Sequence, residues 1–477
     1  MRLGRAQSHR PFLDHCRCTG NDWFEHAQVE IKIMHLSGKN ISVVGMGKSG
    51  LATASFLVTR GAQVLLTDAR PEHSLPEVIA GLNPAIELQF DNSAPGKNAD
   101  LIVLSPGVPV DAPFLDEFRE RGIEIIGEIE LAFRFNKTPI IAITGSNGKS
   151  TVTTLVGNIL RADGRTVHVG GNLGTPFIEL IEKGTAEFIV LEISSFQLET
   201  VTTFKPYVAG ILNITPDHLD RHKTSANYHA MKERIATQQS ESDYFVANLD
   251  APETVKLSCG KRSQKLFFGA QHEGGDGAYL RNGEIILKFQ GREEVICKHQ
   301  EIAFPLRLLV ENALAAIALT APLNISVSVL ADALCNFNGL EHRMEWVRTF
   351  NGIDFINDSK ATNVGATCKS LLAIEKPIVL MLGGRDKQGD FSAMLPLLKQ
   401  KVRHLVLFGE ARGIIRNFLN GSPASEEADS LEDALKIAVS HAKAGDTVLL
   451  APACASQDMF KNYEERGSLF KTLVNNL

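Results

Sequence analysis

The sequence predicts an α/β protein of three domains. Its 477 residues are about three times the ~150 residues of an average domain. At residues 41–59 and 140–160 an apolar strand pattern runs into a glycine-bearing loop and then into a helical pattern, and a third series of strands begins after Gly339. Such alternation is typical of parallel sheets covered by helices. We expect a Rossmann-like N-terminal domain, a central P-loop ATPase-like α/β domain and a C-terminal Rossmann-like α/β domain.

The expected domains are residues 37–126, 127–339 and 340–477, because strand and helix patterns restart near residues 127–137 and again after residue 339. Residues 1–36 mix acidic and basic side chains and lack an apolar run, so we expect a poorly ordered extension rather than a secretory signal. The extension holds a group of potential metal ligands, but no second ligand pair at zinc-site spacing: His9, His15, Cys16 and Cys18.

Composition excludes several classes of protein. Hydrophobic residues make up 44% and charged residues 22% of the chain, which is typical of a globular protein. The net charge of −6 argues against a broad nucleic-acid-binding surface. Seven scattered cysteines form no paired framework and indicate reduced thiols in the cytoplasm. No apolar run reaches the ~18 residues of a membrane span, so we expect no membrane insertion.

The first glycine loop, Gly45-Met-Gly-Lys-Ser-Gly50, follows an apolar strand pattern at residues 41–44. A second strand pattern, residues 63–67, ends in Asp68, close to where a dinucleotide-binding fold places its ribose-binding acid. Taken alone, this pattern favours NAD, and the alternative is a turn needed only for tight packing. A third strand, residues 100–104, opens into a loop, Ser105 to Pro109, at the same sheet edge.

The second glycine loop predicts a phosphate site. Gly145 and Gly148 let backbone N–H groups converge on an anion, Lys149 adds a positive charge, and a helix begins near Ser150. The Ser150 hydroxyl is placed to bind Mg²⁺ on a nucleoside triphosphate. Only the second half of the Walker pattern is present, because Ile143 stands where the first glycine belongs.

Polar residues follow the neighbouring strands of the central domain. Glu192 ends the strand at residues 188–191 and is a candidate Mg²⁺ ligand, with an incidental carboxylate as the alternative. His218 lies in the loop after residues 208–214 and is a candidate ligand or a structural histidine. From spacing alone, Lys232 is a solvent-exposed helix lysine. Asn312, at the polar start of a helix, faces a nucleotide base or merely occupies the first turn.

The third domain has four strand patterns, each followed by a polar or glycine-bearing loop, and we expect these loops to share one sheet edge. Cys454 has no histidine base placed beside it by any motif, so we expect it to pack structurally. The loops are residues 357–363, 383–387, 409–410 and 452–458.

Five segments together resemble the Mur ligases of peptidoglycan synthesis: Thr144-Gly-Ser-Asn-Gly-Lys-Ser-Thr151, Leu191-Glu-Ile-Ser-Ser-Phe-Gln-Leu198, Asn213-Ile-Thr-Pro-Asp-His-Leu-Asp220, His342-Arg343 and Asn357-Asp-Ser-Lys-Ala-Thr-Asn363. The resemblance runs from about Ile41 to the C-terminus. Within that family the chain looks most like the branch that adds D-glutamate, on the following residues: Ala361-Thr-Asn363, Gly383-Gly384, Lys387, Ala453-Cys-Ala-Ser456, Asp458, Phe460 and Tyr463.

The resemblance implies an ATP-dependent ligase that joins UDP-N-acetylmuramoyl-L-alanine to D-glutamate in cytoplasmic peptidoglycan precursor synthesis. It implies an acyl phosphate, then a tetrahedral intermediate, and release of ADP and phosphate. It also implies two Mg²⁺ ions and a carbamylated Lys232, which turns an ammonium into a carboxylate-like metal ligand. We expect small-molecule substrates only, and a monomer.

Site residues are implied by the same resemblance. Those expected to act in catalysis are Lys149, His218, Lys232, Arg343 and Lys360. Those expected to bind ATP are Gly145, Ser146, Asn147, Gly148, Lys149, Ser150, Thr151, Asn312, Arg343 and Asp358. Those expected to bind the UDP-sugar are Met46, Gly47, Lys48, Ser49, Asp68, Arg70, Ser105, Gly107 and Asn172. Those expected to bind D-glutamate are Thr362, Lys387, Ser456 and Tyr463, and the implied metal ligands are Ser150, Glu192, His218 and Lys232.

The sequence departs from the family pattern at two places. Leu308-Leu309 stands where a His-Asn pair is usual, and Tyr463 stands where phenylalanine is common. Three alternatives stay open on sequence alone. They are a related amide ligase that uses another amino acid, such as L-alanine or the glutamates of folate, a nicotinamide-dependent oxidoreductase, and a non-catalytic nucleotide-binding module.

Overall fold

The computed structural model describes residues 34–75, 81–215, 218–387, 389–419 and 423–477. The predicted poorly ordered extension covers residues 1–36, and its residues 1–33 lie outside the part of the chain that the structure describes. Leu36 is only 4% exposed and belongs to the apolar core next to the first sheet.

The N-terminal sheet has five parallel strands in the order β3-β2-β1-β4-β5. The strands are β1 (Asn40–Val44), β2 (Gln63–Thr67), β3 (Ile86–Gln89), β4 (Leu101–Leu104) and β5 (Glu124–Gly127), and the helices are α1 (Lys48–Thr59) and α2 (Asp116–Glu120), with 3₁₀ turns at Glu72–Ser74 and Pro113–Leu115. Because β1 lies between β2 and β4, the loops after β1 and β4 meet where the strand order reverses, and ligands bind at such points.

The central sheet has nine strands in the order β14-β13-β12-β11-β10-β9-β6-β8-β7. They are β6 (Ile140–Thr144), β7 (Val167–Gly171), β8 (Phe188–Glu192), β9 (Val208–Ile211), β10 (Tyr244–Asn248), β11 (Gln264–Gly269), β12 (Gly277–Arg281), β13 (Glu284–Phe289) and β14 (Arg292–Lys298). The strands from β7 to β12 pair in parallel, and β13 and β14 add an antiparallel edge. The strands after residue 242 therefore continue the central sheet.

Helices cover both faces of this sheet, and α4 and α11 pack together on one of them. The helices are α3 (Glu128–Phe135), α4 (Lys149–Ala162), α5 (Phe177–Leu180), α6 (Ser195–Leu198), α7 (Leu219–His222), α8 (Ser225–Glu233), α9 (Pro252–Ser258), α10 (Phe304–Leu308), α11 (Val310–Thr320) and α12 (Val327–Cys335), with 3₁₀ turns at Arg234–Ala236 and Ala321–Leu323.

The C-terminal sheet has six strands in the order β15-β16-β20-β17-β18-β19. They are β15 (Glu345–Phe350), β16 (Ile353–Asn357), β17 (Ile378–Gly383), β18 (Val402–Phe408), β19 (Ser425–Glu427) and β20 (Thr447–Ala453). The helices are α13 (Val364–Ala373), α14 (Leu395–Lys401), α15 (Arg412–Leu419), α16 (Leu431–His441) and α17 (Tyr463–Asn475), with a 3₁₀ turn at Phe391–Met394. All strands but β15 pair in parallel, which confirms that the predicted loops share one edge.

The three sheets confirm the predicted three-domain α/β class. One apolar cluster runs from the N-terminal sheet through α3 to the central sheet. Leu308 and Leu309, which replace the usual His-Asn pair, pack against the apolar core of the C-terminal domain. Among the described residues, no helix combines the length and apolar character needed to cross a membrane.

Candidate active site

The second glycine loop joins β6 to α4. Gly145 has a φ of 150° and Gly148 a φ of 86°, values that side-chain-bearing residues rarely adopt. A Cβ at Gly148 would lie 2.5 Å from Oδ1 of Asn312, so this loop tolerates no side chain there. Gly148 is the N-cap of α4 and has no side chain to bond the first N–H groups of the helix. The loop therefore places backbone N–H groups at a helix amino end, which suits phosphate.

The loop is held in place by residues that follow β9, the strand beside β6. Oδ1 of Asn213 accepts a hydrogen bond of 2.9 Å from the backbone N–H of Asn147, and Nδ2 of Asn213 donates to the carbonyl of Asn147 at 3.0 Å. The Ser146 hydroxyl donates to the Thr215 carbonyl at 2.9 Å and lies 3.0 Å from the Tyr228 hydroxyl. These bonds fix the curvature of the loop before any phosphate arrives.

A buried cluster of oxygen atoms lies beside the loop. The Ser150 hydroxyl donates to Oε2 of Glu192 at 2.5 Å, and both residues are 3% exposed. Nδ2 of Asn172 donates to the other carboxylate oxygen, Oε1, at 2.7 Å. Hydroxyl and carboxylate oxygens are the protein ligands that Mg²⁺ prefers. The residue types at this position therefore fit a magnesium ion next to the phosphate loop.

Lys232 is buried, so the prediction from its spacing is wrong. It is 1% exposed, and its Nζ donates to the Gly145 carbonyl at 2.9 Å and lies 4.6 Å from the centre of the Tyr228 ring. Helix α8 turns it inward toward the loop. His218 is exposed at the start of α7, with a φ of 53° and its ring centre 4.9 Å from that of Phe196.

A cation of the C-terminal domain, Arg343, reaches the same loop, where it joins Lys149 of the central domain. Nη2 of Arg343 donates to the Ser150 hydroxyl at 2.7 Å, and Lys149 folds its Nζ back to the carbonyls of Gly145 and Ser146 at 2.9 and 3.0 Å. Nζ of Lys360 lies 3.7 Å from the centre of the Tyr463 ring. Burial lowers the pKa of Lys360 to about 8, and the charge of Arg343 acts in the same direction. The structure thus gathers positive charge around a phosphate loop.

Asp358 and Asn312 lie on opposite sides of the domain boundary. Asp358 is 7% exposed, accepts hydrogen bonds from the Ser370 hydroxyl and from the Met344 N–H, and follows β16 directly. Burial raises its pKa to about 6. Asn312 is 8% exposed and lies against Gly148. Asn312 is thus in contact with the phosphate loop, and Asp358 lies at the carboxyl end of β16.

The four residues predicted to bind D-glutamate lie at the carboxyl edge of the C-terminal sheet. Their loops are cross-linked, because the Ala453 N–H donates to the Ala361 carbonyl at 2.8 Å and the Arg385 N–H donates to the Ala455 carbonyl at 2.8 Å. Cys454 is buried, and burial raises the pKa of its thiol to about 12, in keeping with structural packing. Of the four, Ser456 is buried, Thr362 and Tyr463 are half-buried, and Lys387 is exposed.

The first glycine loop is a separate site. The Asp68 carboxylate accepts the Met46 N–H at 2.7 Å and two bonds of 2.8 and 2.9 Å from the Arg70 guanidinium, which holds the pKa of Asp68 well below its usual range. The Ser105 hydroxyl donates to the Gly45 carbonyl at 2.8 Å, joining the loops after β1 and β4. The Asp68 carboxylate is thus already hydrogen-bonded within its own domain. The ribose-binding acid of a dinucleotide site would instead be free to bind its ligand.

Other residues predicted for the UDP-sugar lie between this loop and the central domain. Nζ of Lys48 donates to the Gly174 carbonyl at 2.5 Å, next to the loop that holds Asn172. The Arg221 guanidinium donates to the carbonyls of Gly107 and Val108 at 3.3 and 2.8 Å. Ser49 lies in the first turn of α1, as Thr151 does in α4.

Family models match the chain in three consecutive stretches. The Mur ligase MurD-like N-terminal domain matches residues 39–127, the Mur ligase middle domain residues 143–320, and the Mur ligase glutamate ligase domain residues 342–454. The chain belongs to the Mur ligase family. The matched stretches follow the three sheets, and the predicted family assignment is confirmed.

Relatives of this Mur ligase match it over nearly its whole length. It is 42% identical to the UDP-N-acetylmuramoylalanine–D-glutamate ligase of Pelotomaculum thermopropionicum, over 91% of this chain and 97% of the relative. It is 43% identical to the protein of the same name from Thermoanaerobacter sp. strain X514, over 92% of this chain and 99% of the relative.

Solved structures share the fold. A pseudomurein peptide ligase type C from Methanothermus fervidus superposes with a TM-score of 0.57 at 19% identity, covering 92% of this chain and 100% of that one. The MurF ligase of Thermotoga maritima in complex with ADP gives a TM-score of 0.57 at 18% identity, covering 92% and 96%.

Sequence reasoning missed three residues that shape the site of this Mur ligase. Asn213 and Tyr228 hold the phosphate loop, and Tyr228 lies one helical turn before Lys232, a spacing that signals a shared face. Arg466 is fully buried and donates to the Ser359 carbonyl at 2.8 Å and, more weakly, to the Cys454 carbonyl at 3.4 Å. It thereby joins the segments that carry Lys360 and Ser456, and no motif signalled it.

Proposed function

We propose that this Mur ligase joins D-glutamate to UDP-N-acetylmuramoyl-L-alanine, cleaving ATP to ADP and phosphate, in cytoplasmic peptidoglycan precursor synthesis. The contact between Arg343 and Ser150 carries the proposal of a ligase, because it brings a cation of the C-terminal domain onto the phosphate loop of the central domain. The choice of amino acid rests on the similarity to D-glutamate ligases over the whole chain. We further propose that the protein acts as a monomer, which sedimentation at working concentration would test.

The first chemical task is to bring two anions together. The carboxylate of the acyl substrate is a poor electrophile until it is phosphorylated, and its charge repels the terminal phosphate of ATP. Lys149, Arg343 and Lys360 supply the compensating positive charge from two domains. Bound Mg²⁺ would supply further charge neutralisation, with Ser150 and Glu192 as its protein ligands. The carboxylate then attacks the terminal phosphorus of ATP, the bond from that phosphorus to the bridging oxygen breaks, and ADP leaves as the acyl phosphate forms.

The second task is amide formation. The amine of D-glutamate attacks the acyl phosphate, a tetrahedral intermediate forms, and phosphate leaves as the amide carbonyl re-forms. We assign the orientation of the D-glutamate carboxylates to the following residues of the shared loop edge: Thr362, Lys387, Ser456 and Tyr463. The exposed ammonium of Lys387 offers a charge-assisted bond to the side-chain carboxylate.

Nucleotide and sugar contacts complete the assignment. Asn312 would contact adenine and Asp358 the ribose. The N-terminal loop would hold uridine and diphosphate through the amino end of α1 and the Asp68–Arg70 pair. The residues assigned there are Met46, Gly47, Lys48, Ser49, Asp68, Arg70, Ser105, Gly107 and Asn172.

The decisive experiment measures phosphate release with UDP-N-acetylmuramoyl-L-alanine, ATP, Mg²⁺ and one amino acid at a time. We expect release with D-glutamate and none above background with L-glutamate or L-alanine. Turnover with L-alanine but not D-glutamate would contradict the assigned acceptor. No hydrolysis with any acceptor would instead contradict the ligase assignment and favour a nucleotide-binding module.

We also propose that Lys232 is carbamylated and that it holds a second Mg²⁺ together with His218. The support is that Lys232 is 1% exposed beside the phosphate loop, where an ammonium would repel a metal ion. Carbamylation joins neutral Nζ to CO₂ with loss of a proton and yields an oxygen ligand. Lys232→Ala should nearly abolish turnover, with partial rescue by acetate, while the exposed-lysine control Lys256→Ala should be unaffected. Full activity of Lys232→Ala would contradict the assignment.

A further inference from the structure

Three potential metal ligands converge on one face of the C-terminal sheet. His404 lies on β18, Glu426 on the neighbouring strand β19, and His441 is the last residue of α16. Glu426 pairs with Val406 in the parallel register, and Val406 lies two residues after His404, so both ligands project from the same face. Helix α16 packs against β18 on that face. Three separate elements thus bring their polar side chains to one point.

The distances suit a single ion. Nε2 of His441 lies 2.7 Å and Nε2 of His404 lies 3.5 Å from Oε1 of Glu426. The three candidate ligand atoms all lie within 4.8 Å of one another. Donor atoms bound to one Zn²⁺ at ~2.0–2.2 Å in a tetrahedron are roughly 3.3 Å apart. The cluster is therefore close to the size of a metal site before any ion enters.

Nε2 of His404 points into this cluster without a hydrogen-bond partner among the described residues. The side chain is 6% exposed, and an unpaired buried polar nitrogen costs free energy. Its ring stacks on that of His441, with centres 3.6 Å apart and planes 9° from parallel. A bound cation would give this nitrogen the partner that it lacks.

We propose that His404, Glu426 and His441 bind one Zn²⁺ ion, with solvent water completing the coordination on the exposed side. Two imidazoles and one carboxylate favour zinc over Mg²⁺, which prefers oxygen ligands alone. The two imidazole rings lie parallel, so their nitrogen lone pairs point side by side rather than toward one ion. When the ion binds, the ring of His441, whose side chain is 37% exposed, therefore turns toward it, while buried His404 stays in place.

The site is separate from the candidate active site. His404 lies near the amino end of β18, whereas the loops assigned to substrates follow the carboxyl ends of the strands. The four residue-to-residue steps from His404 to Phe408 correspond to ~13 Å of extended chain. A zinc ion here would tie the short edge strand β19 to β18 and α16, and would act on stability rather than on turnover.

Equilibrium dialysis of the untagged full-length protein against Zn²⁺ tests the proposal. His441→Ala and Glu426→Gln should each bind one Zn²⁺ fewer per chain than the unaltered protein. The matched control is His272→Ala, because His272 is an exposed histidine paired with only one carboxylate, Asp250; this variant should bind the same number. Equal zinc content in all four proteins would overturn the proposal and assign any bound zinc elsewhere.

Co²⁺ spectroscopy gives a second, independent readout. The unaltered protein should show the visible absorption of cobalt coordinated by nitrogen and oxygen, and His441→Ala should lose it. Zn²⁺ should raise the melting temperature of the unaltered protein and of His272→Ala, but not that of His441→Ala. Each protein is compared with itself in the presence and absence of Zn²⁺, so a change in the metal-free melting temperature of His441→Ala does not affect the result, and no variant of buried His404 is needed. Cobalt absorption that persists in His441→Ala would contradict the site.

Discussion

The two glycine loops begin from the same local structure and end as different kinds of site. Each follows a buried parallel strand and opens a helix at a sheet edge, where β1 and β6 both have parallel neighbours on either side. Around Gly45–Gly50 the charged partners come mainly from the same domain, since Arg70 neutralises Asp68. Around Gly145–Ser150 the central domain supplies Lys149 and Glu192, and another domain adds Arg343, which reaches Ser150.

This difference in the origin of the charged partners suits one loop to substrate binding and the other to the reaction. A loop whose charges are already paired can hold a diphosphate without disturbing its neighbours. A loop bordered by several cations and one carboxylate can stabilise charge that develops during phosphoryl transfer. Because Arg343 and Lys360 belong to the C-terminal domain, the reaction site is complete only when the central and C-terminal domains are in contact. The comparison assigns chemistry to the second loop and substrate affinity to the first.

The sharpest test of this comparison replaces one lysine of each loop with alanine. Lys149→Ala should lower kcat by about 10³-fold, because it removes a positive charge at the transferred phosphate. Lys48→Ala should raise the KM for the UDP-sugar and leave kcat and the KM for ATP nearly unchanged. Steady-state kinetics with each substrate varied in turn would distinguish the two. Equal losses of kcat would contradict the separation of roles.

Glu192→Gln should give the next largest effect. The amide keeps the size of the side chain but removes the charge that we assign to Mg²⁺, so kcat at low Mg²⁺ should fall by about 10²-fold and recover in part at high Mg²⁺. The measurement is turnover as a function of Mg²⁺ concentration. Glu199→Gln is a control, because Glu199 pairs with Arg221 away from the loop. An unchanged Mg²⁺ dependence in Glu192→Gln would count against metal binding.

Strands with strong apolar patterns were predictable, and those formed by pairing alone were not. The patterns for β1, β6 and β17 were evident because buried parallel strands read as continuous apolar runs. β19 was missed, since the sequence Ser-Glu-Glu becomes a strand only by pairing with β18. The pattern predicted for residues 208–214 overran β9, because residues after Ile211 leave the sheet to support the phosphate loop.

Site residues divide in the same way. Loop motifs and strand ends mark Lys149, Ser150 and Glu192 in the sequence, and the structure brings Ser150 and Glu192 into contact. Asn213 and Arg466 were missed because their partners are mostly backbone groups, with those of Arg466 up to 107 residues away. Lys232 is buried, although its position in the helix pattern predicted an exposed lysine. Its burial agrees only with the role that the family resemblance implies. Local patterns reveal the groups that face a ligand better than those that hold them in place.

Asp68→Asn should have a smaller and more selective effect. It removes the charge that Arg70 pairs with, so the loop after β2 should hold the substrate less well and the KM for the UDP-sugar should rise by about tenfold. All the described hydrogen bonds of Asp68 lie within its own domain, so the KM for ATP should stay the same. A parallel change in both KM values would show that the two loops are not independent.

The smallest expected effect concerns the pH dependence of Lys360. Its pKa is lowered to about 8, so the cation that we assign to the phosphate is present below pH 8 and is lost as pH rises through that value. In the free enzyme kcat/KM should therefore fall about fourfold between pH 7 and pH 8.5, since an ionisable group loses its proton over that interval. Lys360→Arg keeps the positive charge at all these pH values and should flatten this limb of the profile. If the alkaline limb survives in Lys360→Arg, another group titrates there, and the Arg343 contact alone would remain as the link between the C-terminal domain and the reaction.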